Sequence, residues 1–232
     1  MPEVNGPPDV DLSRVWTGVT AQVWARTPGP AERLAGRLLR SPGLARALVV
    51  TPSLLLGWVI STCAVLAAGI LATAGTGTPW VALLEPAVAA AGIAYAYGPA
   101  IDPAWELSQS MAVSDRMVLL ARALAVFGLN AALGLIASAA SGAAVAVTFG
   151  WLVPMTAVCA LALAAATLAR SANVGVAAGM AGWAITVLAG RTLSGTVTAV
   201  VTTPALVLPY LAFAVCCGAL VLYATRTPRG AI

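Results

Sequence analysis

The sequence predicts an all-α, polytopic membrane protein with six transmembrane helices, and three observations carry that prediction. Hydrophobic residues make up 60% of the 232 positions and charged residues only 9%, where a soluble domain carries about a quarter charged residues. The mean hydropathy is +0.94. Beyond residue 47 the apolar residues gather into long uncharged runs separated by short turns, a pattern whose natural solvent is lipid.

Residues 1–47 form a cytoplasmic N-terminal segment that is amphipathic and interfacial. They hold Glu3, Asp9, Asp11, Glu32 and six arginines, with no early apolar stretch of the kind a cleaved signal peptide needs. Leu12, Val15, Trp16, Val19 and Val23 recur at helical spacing. After the Pro28-Gly29-Pro30 break, Arg33, Arg37 and Arg40 line one face while Leu34 and Leu38 line another. Basic amphipathic helices of this kind lie in the headgroup region, drawn by anionic lipids; a solvated linker is the alternative.

The membrane domain, 48–232, contains apolar spans at about 48–72, 79–98, 118–140, 145–168, 174–190 and 204–224. Most reach the roughly 20 residues that cross a 30 Å hydrocarbon core; the fifth is shorter. Thr73 to Thr78 and Ser141-Gly142 are tight uncharged turns, so they join antiparallel hairpins. Pro52, Pro86, Pro154 and Pro209 fall inside spans and predict kinks there. Arg191 to Thr203 is too short to cross twice, and is either an external loop or a re-entrant piece.

Six crossings place Arg14, Arg26, Arg33, Arg37, Arg40, Arg46, Arg116, Arg122, Arg170, Arg226 and Arg229 on one side and leave Arg191 alone on the other. The positive-inside rule then puts both termini in the cytoplasm. All twelve basic residues are Arg, beside heavy use of Ala, a bias of GC-rich bacterial genomes, so the expected location is a bacterial inner membrane. The net charge of +4 is concentrated near the start of the chain and reads as lipid-facing, with no nucleic-acid footprint.

Catalytic constellations are absent. The sequence has no His, and with no Lys it has no phosphate-binding loop. Cys63, Cys159, Cys216 and Cys217 lie in apolar runs without metal-ligand spacing and read as small buried side chains. Trp80 and Trp105 fall near opposite ends of the second span, as interfacial anchors do. Glu85 sits about six residues into that span beside Pro86. A carboxylate there is a candidate for a translocation path or gate, or it plays a structural role, reaching the interface or pairing with Arg191. Gly175, Gly179 and Gly182 present small residues for close helix packing, including across a dimer seam.

The segment between spans 2 and 3 holds three of the four acids found beyond the N-terminal region: Asp102, Glu106 and Asp115. Pro99 and Pro103 break the incoming helix, Ala104 to Met111 can form a short surface helix around Trp105, and Ser114 is a good N-cap for the next span. Glu106-Leu107, then Val113-Ser114-Asp115-Arg116, then Leu119-Leu120-Ala121-Arg122 resembles a run in type-2 ATP-binding-cassette exporter permeases. Ala112 replaces that family's usual proline, and Asp115 a common arginine. An amphipathic N-terminal helix, Arg40-Ser41-Pro42 before the first span and six spans extend the resemblance over most of the chain.

The resemblance implies a permease subunit of an ATP-driven exporter, not itself an enzyme. Asp102, Trp105, Glu106, Ser114, Asp115 and Arg116 would form its coupling interface with a cytoplasmic ATPase. It implies pairing with a second copy or a related permease, ATP and Mg held by the partner subunit, and no cofactor bound by this chain. Its surroundings would be membrane lipids. Two other classes remain: a non-transporting regulatory, immunity or sensor subunit that docks a cytoplasmic protein, and an ATP-independent transporter.

Overall fold

In a computed structural model the described residues are 52–95 and 115–226, with 11, 13–18, 29, 33 and 36–37 of the N-terminal region. The chain divides into two units, Met1–Val49 and Val50–Ile232. In the first, residues 13–18 are helical. The Asp11 carboxylate accepts from the Ser13 and Arg14 amides at 3.1 and 3.2 Å, an N-cap that satisfies two donors of the first turn. Arg33, Gly36 and Arg37 are helical too. The rest of the expected interfacial helices lies outside the described residues.

The second unit is helical throughout its described residues. Its elements are α1 (Pro52–Thr76), α2 (Trp80–Tyr95), α3 (Asp115–Ala140), α4 (Val145–Gly150), α5 (Leu152–Ala169), α6 (Ala172–Ser194), α7 (Ala199–Thr202), a 3₁₀ turn (Pro204–Leu206) and α8 (Val207–Ala224). Five stretches are long and apolar enough to cross a membrane: Gly57–Thr76, Leu119–Ala140, Val145–Ala169, Ala172–Ser194 and Pro204–Ala224. These make the chain a membrane-embedded helical protein. The sixth apolar helix, α2, has 16 described residues, about 24 Å at 1.5 Å per residue. Ten of the 16 are buried, so this helix, shorter than the five spanning stretches, is also the most enclosed.

Two helices organise the bundle. α2 packs against α1, α3, α5 and α6, and α5 packs against α2, α6 and α8. Their shared core is built from small side chains: Ala82, Ala89, Ala90 and Ala94 of α2 with Ala162 of α5, wedged by Trp151, Met155 and Trp183. In a lipid solvent the hydrophobic effect gives no drive between helices, so close backbone approach and dispersion supply the cohesion. α8 buries only Cys217 and Val221 and presents most of its surface outward.

The turns have local causes. Trp80 donates its amide to Thr73 Oγ1 at 3.1 Å and its indole N–H to Thr76 Oγ1 at 2.9 Å. These bonds place the first reversal at residues 77–79, later than the Thr73–Thr78 expected, and lengthen α1. At Ser141-Gly142 the reversal is tight because Gly142 adopts φ +71°, a conformation that carries no Cβ penalty only in glycine.

Of the four prolines expected to kink spans, only Pro86 lies beyond the first turn of a helix. Pro52 opens α1, where its missing N–H costs nothing. Pro209 falls in the first turn of α8. Pro154 is also in a first turn, because the fourth span is broken at Trp151 into α4 and α5. Lacking an N–H, Pro154 cannot bond the Gly150 carbonyl four residues back, and its ring crowds that group. The fifth span runs from Ala172 to Ser194, well beyond the expected 174–190, and takes up the first four residues of the ambiguous 191–203 segment. The remainder folds back onto the bundle. Val200 and Val201 of α7 are buried in the central core, and the Val201 carbonyl occupies the place a Cβ would take at Gly150.

Candidate functional site

Asp102, Trp105, Glu106 and Ser114 of the expected coupling segment lie outside the described residues. Asp115 is the first residue of α3, and Arg116 follows it half-buried. The end of the bundle from which they emerge is defined by packing. Leu119 meets Ala166, and Ala164 meets Val221. The start of α3 therefore shares an end with Arg170, which closes α5, and with Arg226, which follows α8. Arg191 belongs to the opposite end, where Gly190 meets Val200.

The most unusual chemistry lies inside the bundle, at the seam of α2 and α3. Glu85 is fully buried, with 0% of its surface exposed, and neither carboxyl oxygen has a hydrogen-bond partner. It is enclosed by the bundle and does not pair with Arg191, which is exposed. Pro86 beside it leaves the Ala82 carbonyl without its helical donor, and Trp183 of α6 donates its indole N–H to the neighbouring Leu83 carbonyl at 2.7 Å. That bond locks α6 onto α2 next to the proline.

Opposite Glu85 stands Gly134 of α3. A Cβ there would lie 2.7 Å from Glu85 Cγ, 2.8 Å from Glu85 Cδ and 2.6 Å from the Trp151 ring. Only the absence of a side chain lets the carboxyl and the indole share this space. One turn to either side on the same face of α3 are Asn130 and Ser138, both fully buried. Asn130 donates from Nδ2 to the Val126 carbonyl at 2.8 Å, which leaves its Oδ1 unpartnered, as are Ser138 Oγ and Trp151 Nε1. Cys159 of α5 lies within electrostatic reach of Glu85.

Five buried polar atoms on four side chains are thus unsatisfied around one glycine. Each orphaned group costs about 1–3 kcal/mol, more if charged. Such a concentration is the usual mark of a missing partner. The carboxyl, the amide oxygen and the hydroxyl accept, while the hydroxyl and the indole N–H donate. The set can hold something small and polar. Glu85 was legible in the sequence as an intramembrane acid. Asn130, Gly134, Ser138 and Trp151 were not singled out, although Asn-x-x-x-Gly-x-x-x-Ser marks a polar, small stripe at helical spacing within an otherwise apolar span.

The glycines of α6 face their own chain. A Cβ at Gly175 would fall 2.7 Å from the Ala162 carbonyl oxygen and 3.0 Å from Ala94 Cβ. At Gly179 it would fall 2.9 Å from Ala90 Cβ, and at Gly182 2.7 Å from Leu161 Cδ2. This face is filled by α2 and α5, so it is a packing surface within the chain and not a free seam for a second copy. The cysteines are unpaired; Cys159 and Cys217 are buried, whereas Cys63 and Cys216 are exposed. Among the described residues no three His, Cys, Asp or Glu side chains gather as a metal site. Comparison with protein families, with characterised proteins and with solved structures finds no match for this chain.

Proposed function

We propose that this chain is the membrane-spanning permease subunit of an ATP-driven exporter in a bacterial inner membrane. It pairs with a second permease and is driven by a separate cytoplasmic ATPase that holds the ATP and Mg. One observation carries the reading furthest. The connection between α2 and α3 joins the most enclosed helix of the bundle to the helix lining the other side of its polar seam, and it returns at the Arg-rich end. A cytoplasmic subunit gripping that connection would act directly on the pair of helices around Glu85. The reversals at 77–79 and 141–144 are short, and the 195–206 segment is packed onto the bundle at the opposite end, so none of them offers comparable purchase. The similarity of Glu106-Leu107 and Val113-Ser114-Asp115-Arg116 to the coupling segment of type-2 exporters supports the same assignment.

The test is purification of the tagged full-length protein from its native membrane in nanodiscs, with mass spectrometry of the co-purifying proteins. The expected result is a phosphate-loop ATPase in the wild-type sample, lost in the double variant Glu106→Arg with Arg116→Glu. Isolation of the chain without an ATPase, or with a different soluble partner that the variant leaves in place, would replace the exporter reading with that of a regulatory membrane subunit.

A further inference from the structure

We propose that Glu85, with Asn130 and Ser138, forms a membrane-embedded site for a small monovalent cation, a proton or a sodium ion, at the seam of α2 and α3. The inference does not rest on the exporter reading: it stands on the unpartnered atoms around Gly134 and holds whether or not an ATPase drives the protein.

A bare carboxylate in an apolar interior is too costly to persist without a counter-charge. The titratable and charged groups on the helices packed against α2 do not supply one. α5 contributes Cys159, which is neutral or anionic. The cysteine of α1, Cys63, is exposed, and α4 has no titratable residue. On α6 the only such residue is Arg191, which is exposed in the last turn. α3 carries Asp115, Arg116 and Arg122 toward its beginning, and Arg122 is 12 residues from Gly134, about 18 Å along the axis. Among the described residues no side chain supplies that charge, so a bound cation is the source the proposal assigns.

The geometry then limits the ligand. Asn130 and Ser138 are eight residues apart, about 12 Å along the helix, with Gly134 and the carboxyl between them. An organic cation would need the volume that the Trp151 ring and the α3 backbone already fill at Gly134. A proton needs none. A sodium ion needs little, and the carboxyl, amide and hydroxyl oxygens are the hard donors it prefers. Buried polar atoms spread over this length are also what water bridges in protein interiors, so Asn130 and Ser138 would hold the waters that complete the shell on either side of Glu85. Trp151 Nε1 gives a donor for one of them. Losing the cation would leave a charged carboxylate against the α3 backbone, and hydrating it would separate α2 from α3. Occupancy of the site is thereby tied to the packing of the two helices.

The test uses the intact protein in nanodiscs and dicyclohexylcarbodiimide, a hydrophobic reagent that attacks carboxyls carrying a proton. Modified residues are identified by peptide mass spectrometry. The expected result is an adduct on Glu85 at low pH that is lost as the pH is raised. Suppression by sodium chloride, relative to potassium chloride at equal ionic strength, identifies sodium as the ligand; loss with pH alone identifies the proton. Asn130→Ala and Ser138→Ala are expected to keep the adduct and shift its pH or sodium dependence. An adduct indifferent to both pH and sodium would overturn the proposal, as would unchanged dependence in both variants. Absence of any adduct, together with an infrared spectrum lacking a protonated-carboxyl band that Glu85→Gln removes and lacking any sodium-induced change, would overturn it as well. Glu85→Gln keeps the volume of the side chain, and the mapping on wild-type protein stands even if that variant is poorly folded.

Discussion

At the scale of single residues, the contrast between two glycines of α3 is informative. Gly134 has the Glu85 carboxyl and the Trp151 ring where a Cβ would go, whereas Gly128 has nothing within 4 Å. Gly134→Ala is therefore expected to destabilise by about 1–3 kcal/mol through overpacking. Gly128→Ala should be neutral or stabilising by up to about 1 kcal/mol, from helix propensity. Thermal unfolding in one detergent compares the two directly, and equal shifts would count against the seam. Trp183→Phe removes the indole bond to Leu83 while keeping most of the ring volume, and about 1 kcal/mol should be lost. Asp11 offers a pH test outside the membrane. The Ser13 hydroxyl, then the Arg14 amide, hold its carboxyl below the ordinary aspartate value. A depressed folded value means the cap contributes at pH above the unfolded aspartate value and fades as the pH falls through the folded one. Protection factors at the Ser13 and Arg14 amides, corrected for intrinsic exchange, should fall as the pH falls through that range, and Asp11→Asn should flatten the dependence.

At the scale of elements, the positions of the prolines show how local chemistry is redirected by its place in a helix. The same residue starts α1 at Pro52, stops α4 through Pro154 and sits inside α2 at Pro86. Proline periodicity cannot distinguish these cases, because what differs is where the neighbouring helix begins. The glycines of α6 teach a related lesson. Their spacing signals close packing, but their facing toward α5 and α2 depends on how three helices meet. Gly179→Leu is expected to disturb that junction, lowering the unfolding temperature while leaving the oligomeric state unchanged in light scattering. Loss of a dimer without loss of stability would restore the seam between copies.

Across the whole molecule, the arginines and the tight turns agree on a two-ended bundle. Arg116, Arg170 and Arg226 share one end and Arg191 the other. In a background with the native cysteines replaced by alanine, Gly142→Cys and Asn173→Cys fall at opposite ends. Gly142→Cys should react with a membrane-impermeant maleimide in intact cells, and Asn173→Cys only after lysis. Labelling of both from one side would break the six-crossing arrangement, including the role assigned to α2.

Much of this architecture was readable in the residues alone. That the chain belongs in lipid, where its long helices fall and where it turns at Ser141-Gly142 follow from additive transfer energies and from backbone rules local to a few positions. The lengths of α1 and α6, and the folding back of Val200 and Val201, were not readable, because they depend on bonds and contacts with distant partners. Least readable was the seam itself. Lipid is as apolar as a helix core, so an Ala-rich span carries no hydrophobic stripe to say which face meets protein. Only the tertiary structure could bring Glu85 and Trp151 together at Gly134, between Asn130 and Ser138 of the same helix, since that meeting is decided by which small residues let two backbones approach.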